Sequence, residues 1–338
     1  MGRKIRVLIT IPRELYAQLS RMEDEDKLRE FADVEFNPYS RNLSEDELAD
    51  FIKGVDGCIT SWGSPRFTKK VLDKADKLKI IGHAAGSVKP YVTDEVFKRG
   101  IVVVNAASAI AIGVAEFTLA MILNCLRAIP QHVSAMRRRD WRYKEARSGE
   151  TFDLRHKVIG LIGFGAVARE LVNLLKPFNV RILVFDPYVS VEELRKYSVE
   201  KSDLDHLLSN SDIVSLHAAL TPETYHMIGE RELKIMKPTS FLINTARGAL
   251  VDERSLCKAL RERWIAGAAL DVFEEEPLPP ESPLYDLDEN VFLTPHVAGL
   301  SDERRSMLFG VIVEDFRRFF SGEKPLNTID YTRLSFLA

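Results

Sequence analysis

Short apolar runs alternate with polar, helix-like stretches along most of the chain, which limits it to the α/β classes of fold. In the N-terminal part, aliphatic and β-branched residues mark the predicted strands. These strands lie at 6–10, 33–36, 57–60, 79–82 and 101–104. Amphipathic helices are predicted between them at 44–52 and 68–75, each opened by a Ser or Thr that can cap it. Hydrophobic strands separated by helices are typical of a parallel sheet covered on both faces.

A second series of the same kind begins near residue 157. Its strand-like segments are KVIGLIG, VRILVF, DIVSL, SFLINT and AGAALDV. Helical segments such as 252–264 lie between them. With 338 residues, the chain is too long for one ordinary core. The sequence therefore predicts two separate α/β units rather than one large sheet.

Two further segments are predicted to be helical. The segment 301–320 has the acidic first turn and the apolar spacing of one long amphipathic helix. The segment 109–150 becomes strongly basic, and basic residues beside Trp141 and Tyr143 also occur in nucleic-acid-binding proteins. The whole chain, however, carries 47 basic and 50 acidic residues, a formal net charge of −3. This balance gives no reason to expect nucleic acid or an anionic membrane as a partner, and favours a solvated helix face or a subunit contact.

The most apolar stretch, 101–126, has Glu116 as its only charge and is long enough for a membrane span. It begins with β-branched residues and is interrupted by Asn105 and Ser108, so a buried strand followed by a buried helix explains it better. The N-terminus reaches polar residues too early for a signal peptide. The three cysteines are far apart, which predicts neither disulfides nor a metal site and favours a reducing, cytoplasmic location.

Gly163, Gly165 and Ala168 form a GxGxxA motif after a predicted strand and at the start of a predicted helix. Gly163 permits the tight turn, Gly165 lets the backbone approach a pyrophosphate, and Ala168 allows close packing of helix on strand. The N–H groups of Ala166 and Val167 would then face the phosphates at the positive end of the helix dipole. In this context the motif predicts a dinucleotide-binding site.

The next predicted strand ends in Asp186, at roughly the 20-residue spacing expected of a carboxylate that binds the ribose hydroxyls. No Arg or Lys follows within the segment DPYVS. Because a carboxylate at this position would repel a 2′-phosphate, the sequence predicts NAD rather than NADP as the cofactor.

A redox enzyme that uses NAD(H) on a carbonyl group needs a cation for an anionic substrate, a proton donor, and a group that tunes this donor. Three segments can supply them, NTARGALVDE (244–253), LDVFEEEPL (270–278) and LTPHVAGLS (293–301). Each follows a predicted strand of the second series, where the carboxyl ends of a parallel sheet form the ligand crevice. Among seven histidines, His296 is the one associated with such a set of residues.

These motifs resemble, in content and order, those of the D-isomer-specific 2-hydroxyacid dehydrogenase family. The resemblance covers nearly the whole chain and rests on GLIGFGAVA, FDP, SLHAALTPET, NTARGALVDE, LDVFEEEPL and TPHVAG. It implies an α/β fold of two doubly wound parallel-sheet domains. A flavodoxin-like substrate domain would consist of 1–107 completed by 302–338, with a Rossmann NAD-binding domain, 108–301, inserted between them. Such proteins are usually homodimers.

At the matching positions, the resemblance implies Arg247, Glu276 and His296 as catalytic residues. Arg247 would grip the substrate carboxylate with its planar fork of donors. Spacing does not distinguish Glu276 from Glu274 and Glu275; the family pattern, an acid just before proline, selects Glu276. A carboxylate beside His296 would favour imidazolium and keep a proton ready for the carbonyl oxygen. His296 would take this proton back in the oxidative direction.

The resemblance also implies contacts made by loops at the strand ends. The implied cofactor contacts are Gly163, Gly165, Ala166, Val167, Asp186, His217, Thr224, Thr245, Ala246, Asp271, Ala298 and Gly299. The implied substrate contacts are Gly86, Ser87, Val88 and Arg247. Asp271 would lie at the nicotinamide carboxamide, and the alternative for it is a structural role as a strand-end cap.

The sequence departs from the family pattern at three places. Ala166 stands where many relatives have arginine, and Phe117 replaces a frequent histidine. Lys89-Pro90 follows the implied substrate loop in place of a common Asp-Asn pair. Lys89 could add a cation for a larger or doubly charged acid, or could face solvent. The substrate is therefore where the analogy is weakest.

The predicted function is the NAD-dependent interconversion of a small anionic 2-keto acid and a D-2-hydroxy acid. Glu276 argues against a formate dehydrogenase, which typically pairs its histidine with glutamine. A short phosphoglycerate dehydrogenase and a glyoxylate or hydroxypyruvate reductase both remain open. The alternative from another class is an NAD(H)-binding regulatory scaffold, which would show little turnover. An enzyme of other chemistry, such as a hydrolase with tightly held NAD, lacks support from the remaining motifs.

Overall fold

The computed structural model describes residues 4–146, 151–287, 291–299 and 301–332. These residues form two compact units. The first contains the described residues of Met1–Ile110 and Leu300–Leu337, and the second those of Ala111–Gly299. Each unit has its own parallel sheet with helices between successive strands. The predicted fold class, two α/β domains with doubly wound parallel sheets, is confirmed.

The regular elements of the described residues are as follows. The strands are β1 (Ile5–Ile9), β2 (Ala32–Phe36), β3 (Gly57–Thr60), β4 (Ile80–His83), β5 (Val102–Asn105), β6 (Val158–Ile162), β7 (Arg181–Phe185), β8 (Glu200–Lys201), β9 (Ile213–Leu216), β10 (Phe241–Asn244), β11 (Gly267–Leu270) and β12 (Val291–Leu293). The α-helices are α1 (Arg13–Leu19), α2 (Met22–Phe31), α3 (Glu45–Phe51), α4 (Lys69–Lys74), α5 (Asp94–Lys98), α6 (Ala107–Arg127), α7 (Ile129–Arg137), α8 (Tyr143–Ala146), α9 (Ala166–Leu175), α10 (Val191–Arg195), α11 (Leu204–Asn210), α12 (Glu230–Ile235), α13 (Glu253–Arg261), α14 (Asp302–Arg305) and α15 (Leu308–Phe320). Short 3-10 helices lie at Lys176–Phe178, Gly248–Leu250 and Pro283–Asp286.

The first unit is built on a five-stranded parallel sheet in the order β2-β1-β3-β4-β5. The predicted strands of the N-terminal part are all present, each within one residue of its predicted bounds. α3 begins as predicted because Ser44 caps it, with its Oγ accepting a hydrogen bond from Glu47 N at 3.2 Å. Thr68 precedes α4 but provides no side-chain cap, since its hydroxyl donates to Glu45 instead.

The single long helix predicted at 301–320 is wrong, because the chain forms α14 and α15 in its place. At the break, Met307 N donates to the carbonyl of Arg304, three residues back rather than four, at 3.1 Å. The Ser306 hydroxyl donates to the Glu303 carbonyl at 2.9 Å and ends α14. The apolar spacing continues through the break, so the sequence pattern could not indicate it.

The second unit is built on a seven-stranded parallel sheet in the order β12-β11-β10-β9-β6-β7-β8. β6 lies inside the sheet with β7 on one side and β9 on the other. The strand order therefore reverses beside β6. In open α/β sheets, ligands bind at the carboxyl ends of the strands next to such a reversal. We therefore expect a ligand site among the residues that follow β6 and its neighbouring strands.

α6 is long and apolar enough to cross a membrane by length and composition alone. Its buried side chains Ala115, Ile122, Cys125 and Leu126 belong to a hydrophobic core of the second unit. The predicted strand and helix of 101–126 correspond to β5 and α6, and packing in this core accounts for the apolar character of the helix. The predicted helical segment 109–150 contains α6, α7 and α8, and its residues 147–150 lie outside the described ones.

The domain borders predicted at 107–108 and 301–302 stay predictions. α6 begins at Ala107 and continues into the second unit, so no turn marks the first border. Leu300, next to the second border, lies outside the described residues. The three cysteines, Cys58, Cys125 and Cys257, are free thiols and are buried.

Candidate active site

The carboxyl ends of the second-unit strands lie level with one another. Ile162 of β6 is the register partner of Leu216 of β9, which in turn pairs with Asn244 of β10. Asn244 also pairs with Leu270 of β11, and Leu270 with Leu293 of β12. These residues are the last of their strands. The predicted site segments that follow along this one edge of the sheet are 163–167, 217–224, 245–248, 271–276 and 294–299.

Gly163, the first residue after β6, makes the turn that its motif predicts. Its φ is +92°, in the left-handed region that favours glycine. A Cβ at this position would lie 2.6 Å from the backbone nitrogen of Ala218 in the loop after β9. Gly163 N donates to the Phe185 carbonyl at the end of β7, at 2.8 Å. Only glycine fits this crossing of three strand ends.

Gly165 leaves the N-terminus of α9 open. A Cβ built on Gly165 would have no atom within 4 Å, and Gly165 and Ala166 are both exposed. No side chain caps the helix. The N–H groups of the first turn and the helix dipole are therefore presented to an anionic group such as a pyrophosphate. Ala168 is buried against the core, as its place in the motif predicts.

Asp186 follows β7 and ties its strand end to the glycine turn. One carboxylate oxygen accepts a hydrogen bond from Phe164 N and the other from Tyr188 N, each at 2.8 Å. The side chain is partly exposed. Asp186 thus holds the motif in shape and still presents negative charge at the rim of the predicted cofactor site.

The loop after β9 contains His217 and Thr224. His217 Nε2 lies 2.9 Å from Ser215 Oγ, and desolvation by burial lowers the pKa of His217 to about 4. The imidazole is therefore neutral near pH 7. Thr224 Oγ1 donates to the Ala219 carbonyl at 2.7 Å and accepts from Thr221 N at 2.8 Å. The described contacts of Thr224 hold its own loop, and the cofactor contacts of both residues stay predictions.

The turn after β10 is organised by Asn244, a residue that the sequence analysis did not single out. Its Oδ1 accepts from Ala246 N at 3.1 Å, and its Nδ2 donates to the Arg247 carbonyl at 2.8 Å. Thr245 is buried, with its hydroxyl 2.8 Å from that of Thr118 in α6. Asparagine is a common turn-forming residue, so its position at a strand end was the available signal.

Arg247 lies partly buried at the end of this turn. Its Nη1 donates to the Ala246 carbonyl at 2.6 Å. Within the described residues this is the only hydrogen bond of the guanidinium, so its other N–H groups are available to a ligand. Burial lowers the pKa of Arg247, while the charge of Glu276 acts in the opposite direction. Arginine stays charged at neutral pH. The Arg247 cation therefore lies close enough to the Glu276 carboxylate to interact with its charge.

Gly248 allows this turn to pack on the segment that carries Glu276. A Cβ at Gly248 would lie only 1.8 Å from the carbonyl carbon of Phe273. Phe273 N in turn donates to Glu276 Oε1 at 3.0 Å. The glycine after Arg247 is therefore required for the close approach of the two predicted catalytic segments.

His296 and Glu276 form the closest side-chain pair among the predicted site residues that the structure describes. His296 Nδ1 lies 2.6 Å from Glu276 Oε2. The two side chains are 52% and 36% exposed, respectively, so a ligand can reach the pair. No described residue makes a hydrogen bond with His296 Nε2. The carboxylate thus orients the ring through Nδ1 and leaves Nε2 accessible to a ligand.

Asp271 holds the turn that presents His296. The Asp271 side chain is fully buried, and its carboxylate accepts three hydrogen bonds. They come from Thr294 Oγ1 at 2.6 Å, Val297 N at 2.9 Å and Ala298 N at 2.8 Å. His296 has a left-handed backbone, with φ of +53°, which costs about 1–2 kcal/mol for a residue with a Cβ. The structural alternative considered for Asp271 is therefore present, and its contact with the cofactor stays a prediction.

The predicted substrate loop, Gly86–Ser87–Val88, belongs to the first unit and follows β4. The Gly86 carbonyl accepts from Asn105 Nδ2 at 2.5 Å, and Tyr91 N donates to the Val88 carbonyl at 2.9 Å. Among the described residues, none accepts a hydrogen bond from the backbone N–H groups of residues 86–88. Three adjacent N–H groups without an acceptor among the described residues are suited to binding an anion. The substrate contact of this loop stays a prediction.

The fold and this edge of the second sheet define an α/β dinucleotide-binding protein with an arginine, a histidine and a carboxylate at the same strand ends. Residues 119–298 match the family model described as the NAD-binding domain of D-isomer-specific 2-hydroxyacid dehydrogenases. The chain therefore belongs to the D-isomer-specific 2-hydroxyacid dehydrogenase family, and the resemblance stated from its motifs is confirmed. The matched residues lie in the second unit, which is the NAD-binding domain, and the predicted cofactor NAD is confirmed.

Relatives of the whole chain agree with this assignment. The chain is 35% identical over 328 residues to a D-3-phosphoglycerate dehydrogenase from Methanocaldococcus jannaschii, which covers 96% of this chain but 59% of that protein. It is 36% identical over 288 residues to a glyoxylate reductase from Korarchaeum cryptofilum, with 85% and 86% covered. A crystal structure of a protein from Pyrococcus horikoshii superposes with a TM-score of 0.82 at 31% identity, covering 97% of this chain and 96% of that one.

Proposed function

We propose that the protein interconverts a small 2-keto acid and a D-2-hydroxy acid with NAD(H) as cofactor. The observation that carries this proposal is the 2.6 Å contact between His296 Nδ1 and Glu276 Oε2, with Nε2 left for a ligand. Arg247 adds a cation that interacts electrostatically with the same Glu276 carboxylate. An acid–base group and an anion-binding group at one site are what the reduction of a 2-keto acid requires.

The second unit has residues that fit the cofactor. Gly163 and Gly165 let the backbone approach the pyrophosphate, the first-turn N–H groups of Ala166 and Val167 would bind it, and Asp186 would accept from the ribose hydroxyls. When bound, NADH supplies a hydride to the carbonyl carbon of the substrate. The remaining chemistry belongs to side chains of this protein.

His296 acts as the proton donor. In its imidazolium form it donates from Nε2 to the carbonyl oxygen as negative charge develops there. Its Nδ1–H remains donated to Glu276, which stabilises the charged ring and fixes its orientation. In the oxidative direction, neutral Nε2 accepts the hydroxyl proton. Such acid–base catalysis contributes typically about 10²–10⁴-fold to a rate.

Arg247 binds the carboxylate of the substrate. Its partly buried position strengthens the attraction, because the guanidinium is shielded from water. The planar fork can make two parallel hydrogen bonds to a carboxylate, which also orients the adjacent carbonyl carbon. The Gly86–Val88 loop of the first unit remains a predicted substrate contact.

Two substrate classes are supported by relatives. The Korarchaeum cryptofilum relative is named a glyoxylate reductase, which favours small acids such as glyoxylate or hydroxypyruvate. The Methanocaldococcus jannaschii relative is named a D-3-phosphoglycerate dehydrogenase, which favours a phosphorylated acid. Lys89, next to the predicted substrate loop, would suit the second charge of such an acid. We propose the small unphosphorylated acids as the first class, since more than one relative carries the glyoxylate reductase name.

The test is NADH oxidation measured with glyoxylate, hydroxypyruvate, phosphohydroxypyruvate, pyruvate, phenylpyruvate and branched 2-keto acids, with the chirality of each product determined. We expect turnover on at least one small acid and a D-configured product. Binding of NADH without turnover on any of these acids would contradict the proposal and favour the regulatory scaffold. An L-configured product would contradict the proposed stereochemistry.

We also propose a homodimer in a cytoplasmic location. α7 carries Ile129, Val133 and Met136 at helical spacing, and these apolar side chains are 45%, 46% and 53% exposed. Such a patch is typical of a surface that another chain covers. Light scattering should give a dimer mass for the wild type and a smaller mass for Met136→Lys. A monomeric wild type would contradict the proposed assembly.

A further inference from the structure

The three consecutive glutamates before Pro277 are all exposed but differ in their contacts. Glu276 contacts His296, as described above. Glu274 contacts residues of α13 and of the loop before α12. Glu274 therefore makes contacts of its own within the acidic run.

Glu274 and Glu253 make a reciprocal pair of hydrogen bonds, which we call the Glu253–Glu274 clasp. Glu274 N donates to Glu253 Oε1 at 2.6 Å, and Glu253 N donates to Glu274 Oε1 at 2.8 Å. Each residue thus offers its backbone N–H to the carboxylate of the other. Hydrogen bonds to an ionised acceptor are roughly twice as strong as neutral ones, so two of them make a firm link between distant segments.

The clasp is anchored at the N-terminus of α13. Glu253 is the first residue of this helix, and its N–H is one of the donors that the helix itself leaves unsatisfied. Asp252 caps the same turn, with its carboxylate accepting from Arg254 N and Ser255 N. Both clasp carboxylates therefore lie at the positive end of the helix dipole. Burial raises the pKa of Glu253, the hydrogen bond from Glu274 N acts in the opposite direction, and the charges of Glu274 and Glu276 raise this pKa further.

His226 supports the clasp from a third side. Its Nε2 lies 3.0 Å from Glu274 Oε1, and its ring stacks on that of Tyr225 with centroids 3.9 Å apart. His226 N donates to the Ala249 carbonyl at 2.8 Å, next to the turn that carries Arg247. Glu274 is thus hydrogen-bonded to the first turn of α13 and lies beside the His226 ring.

Only Glu275 separates Glu274 from Glu276 along the chain. On the other side, Phe273 N donates to Glu276 Oε1, and Phe273 packs on Gly248. A shift of Glu274 would therefore move the Glu276 carboxylate relative to His296. Catalytic groups need to be held within about 0.5 Å, and residues outside the site commonly provide this support.

We propose that Glu253 and Glu274 are positioning residues, which hold Glu276 against His296 from the N-terminus of α13. The proposal rests on the proposed function, because it assigns a supporting role to the same acid–base pair. Neither residue touches the substrate. Their loss should act on the pairing of Glu276 with His296 and not on the binding of NADH.

The test compares Glu253→Ala, which removes the carboxylate, with Glu253→Gln, which keeps an oxygen acceptor for Glu274 N. Glu275→Ala is the matched control, one residue from each of the two functional glutamates. We expect Glu253→Ala to lower kcat about tenfold. The pH profile of kcat should also differ from that of the wild type, because a loosened carboxylate no longer fixes the orientation of the acid–base ring. Glu253→Gln should restore most of kcat and the wild-type pH profile, and Glu275→Ala should change neither.

Glu274→Ala removes the other carboxylate of the clasp and should reproduce the effects of Glu253→Ala. The affinity for NADH, measured by fluorescence titration, should stay unchanged. The assays include EDTA, because His226, Asp252 and Glu274 each offer a ligand atom within 4.8 Å of the others and a bound metal would bridge them. Equal activity and pH profiles for Glu253→Ala and Glu275→Ala would overturn the proposal. A fall in kcat with an unchanged pH profile would also overturn it, since that is the result of a merely structural role.

Different results would contradict the proposed function. It would be contradicted by a wild type without turnover on any 2-keto acid, or by a His296→Ala variant that keeps full turnover. In either case NMR of the His296 ring protons still tests the clasp, because their chemical shifts report the 2.6 Å contact with Glu276. Glu253→Ala should change these chemical shifts and Glu275→Ala should not. The same chemical shifts in both variants would overturn the clasp whatever the reaction.

Discussion

Asp271 and His296 are joined by a backbone hydrogen bond of 2.8 Å from His296 N to the Asp271 carbonyl, and the Asp271 carboxylate accepts from the N–H groups of the two residues after His296. The buried acid at the end of β11 therefore determines where the imidazole at the end of β12 lies. It also holds His296 in its left-handed conformation. These hydrogen bonds link the segments that follow β11 and β12.

Asp271→Ala should lower both the free energy of unfolding and kcat. The substitution leaves three donors unpaired, the buried Ala298 N and the partly buried Thr294 Oγ1 and Val297 N. An unsatisfied buried group costs about 1–3 kcal/mol. We expect the free energy of unfolding in urea to fall by about 3 kcal/mol and kcat to fall with it. A variant with unchanged stability and weakened binding of NADH would show that contact with the cofactor is the main role of Asp271.

His296→Ala should abolish reduction of 2-keto acids and leave the affinity for NADH nearly intact. In the proposed mechanism the exposed ring transfers its proton from Nε2, whereas the predicted phosphate-binding turn at Gly163 is formed by other segments. We expect a loss in kcat of about 10²–10⁴-fold. His206→Ala, at an exposed histidine in α11, is the control for the loss of an imidazole as such. If binding is lost and turnover by the bound enzyme is retained, the residue has a structural role.

The sequence predicted what depends on periodicity and on local motifs. The strands of both sheets apart from β8 and β12 follow from short aliphatic runs, and the crowding at Gly163 agrees with the turn that its motif predicts. β8 consists of Glu200 and Lys201 and carries no such signal. The choice of Glu276 among three adjacent acids came from the family pattern, and the structure places this residue, rather than Glu274 or Glu275, 2.6 Å from His296.

Relationships between distant residues were not accessible in the same way. The clasp joins residues 21 positions apart through their backbone N–H groups, which carry no sequence signal. The turn held by Asp271 needs a left-handed histidine, a conformation that residue type alone does not indicate. The break between α14 and α15 is a change in hydrogen-bond spacing within a continuous apolar pattern. Each depends on tertiary contacts that propensity does not contain.

Asp186→Asn should weaken the binding of NADH and narrow its advantage over NADPH. The amide keeps the size of the side chain and one oxygen for the glycine turn, but removes the charge that repels a 2′-phosphate. Dissociation constants for both cofactors, measured by fluorescence, check this expectation. Asp203→Asn, at the N-cap of α11, is a control for the loss of one carboxylate elsewhere in the unit. An unchanged ratio of the two constants would contradict the assignment of Asp186 to the ribose.

Two glycines of the site should respond to alanine in opposite ways. At Gly165 an added Cβ meets no atom within 4 Å and φ is −80°, so Gly165→Ala should fold with unchanged stability and bind NADH more weakly. At Gly248 the Cβ would overlap the Phe273 carbonyl carbon at 1.8 Å, so Gly248→Ala must displace the turn of Arg247. We expect it to lose about 2–3 kcal/mol of unfolding free energy, within the range for overpacked sites. Similar thermal midpoints for the two variants would contradict this division.

The buried His83 at the end of β4 should make the stability of the protein depend on acid pH. Its ring is 1% exposed, its Nδ1 lies 2.9 Å from Thr60 Oγ1, and burial lowers the pKa of His83 to about 3. An unfolded histidine titrates near pH 6.5. As the pH falls from 6.5 toward 3, the unfolded chain therefore binds a proton that the folded protein does not, and stability is lost over this window. Above pH 6.5 the full contribution is present.

Urea unfolding at pH 7 and pH 4 measures this loss. His83→Gln, which lacks the titrating ring, should lose at least about 1.4 kcal/mol less than the wild type between the two pH values, the free energy of one pKa unit. His206→Gln, at an exposed histidine in α11, is the control for the loss of an imidazole as such. His217 adds to the same slope, since burial lowers its pKa to about 4. Parallel losses in the wild type and in His83→Gln would show that the buried imidazole of β4 does not govern acid stability.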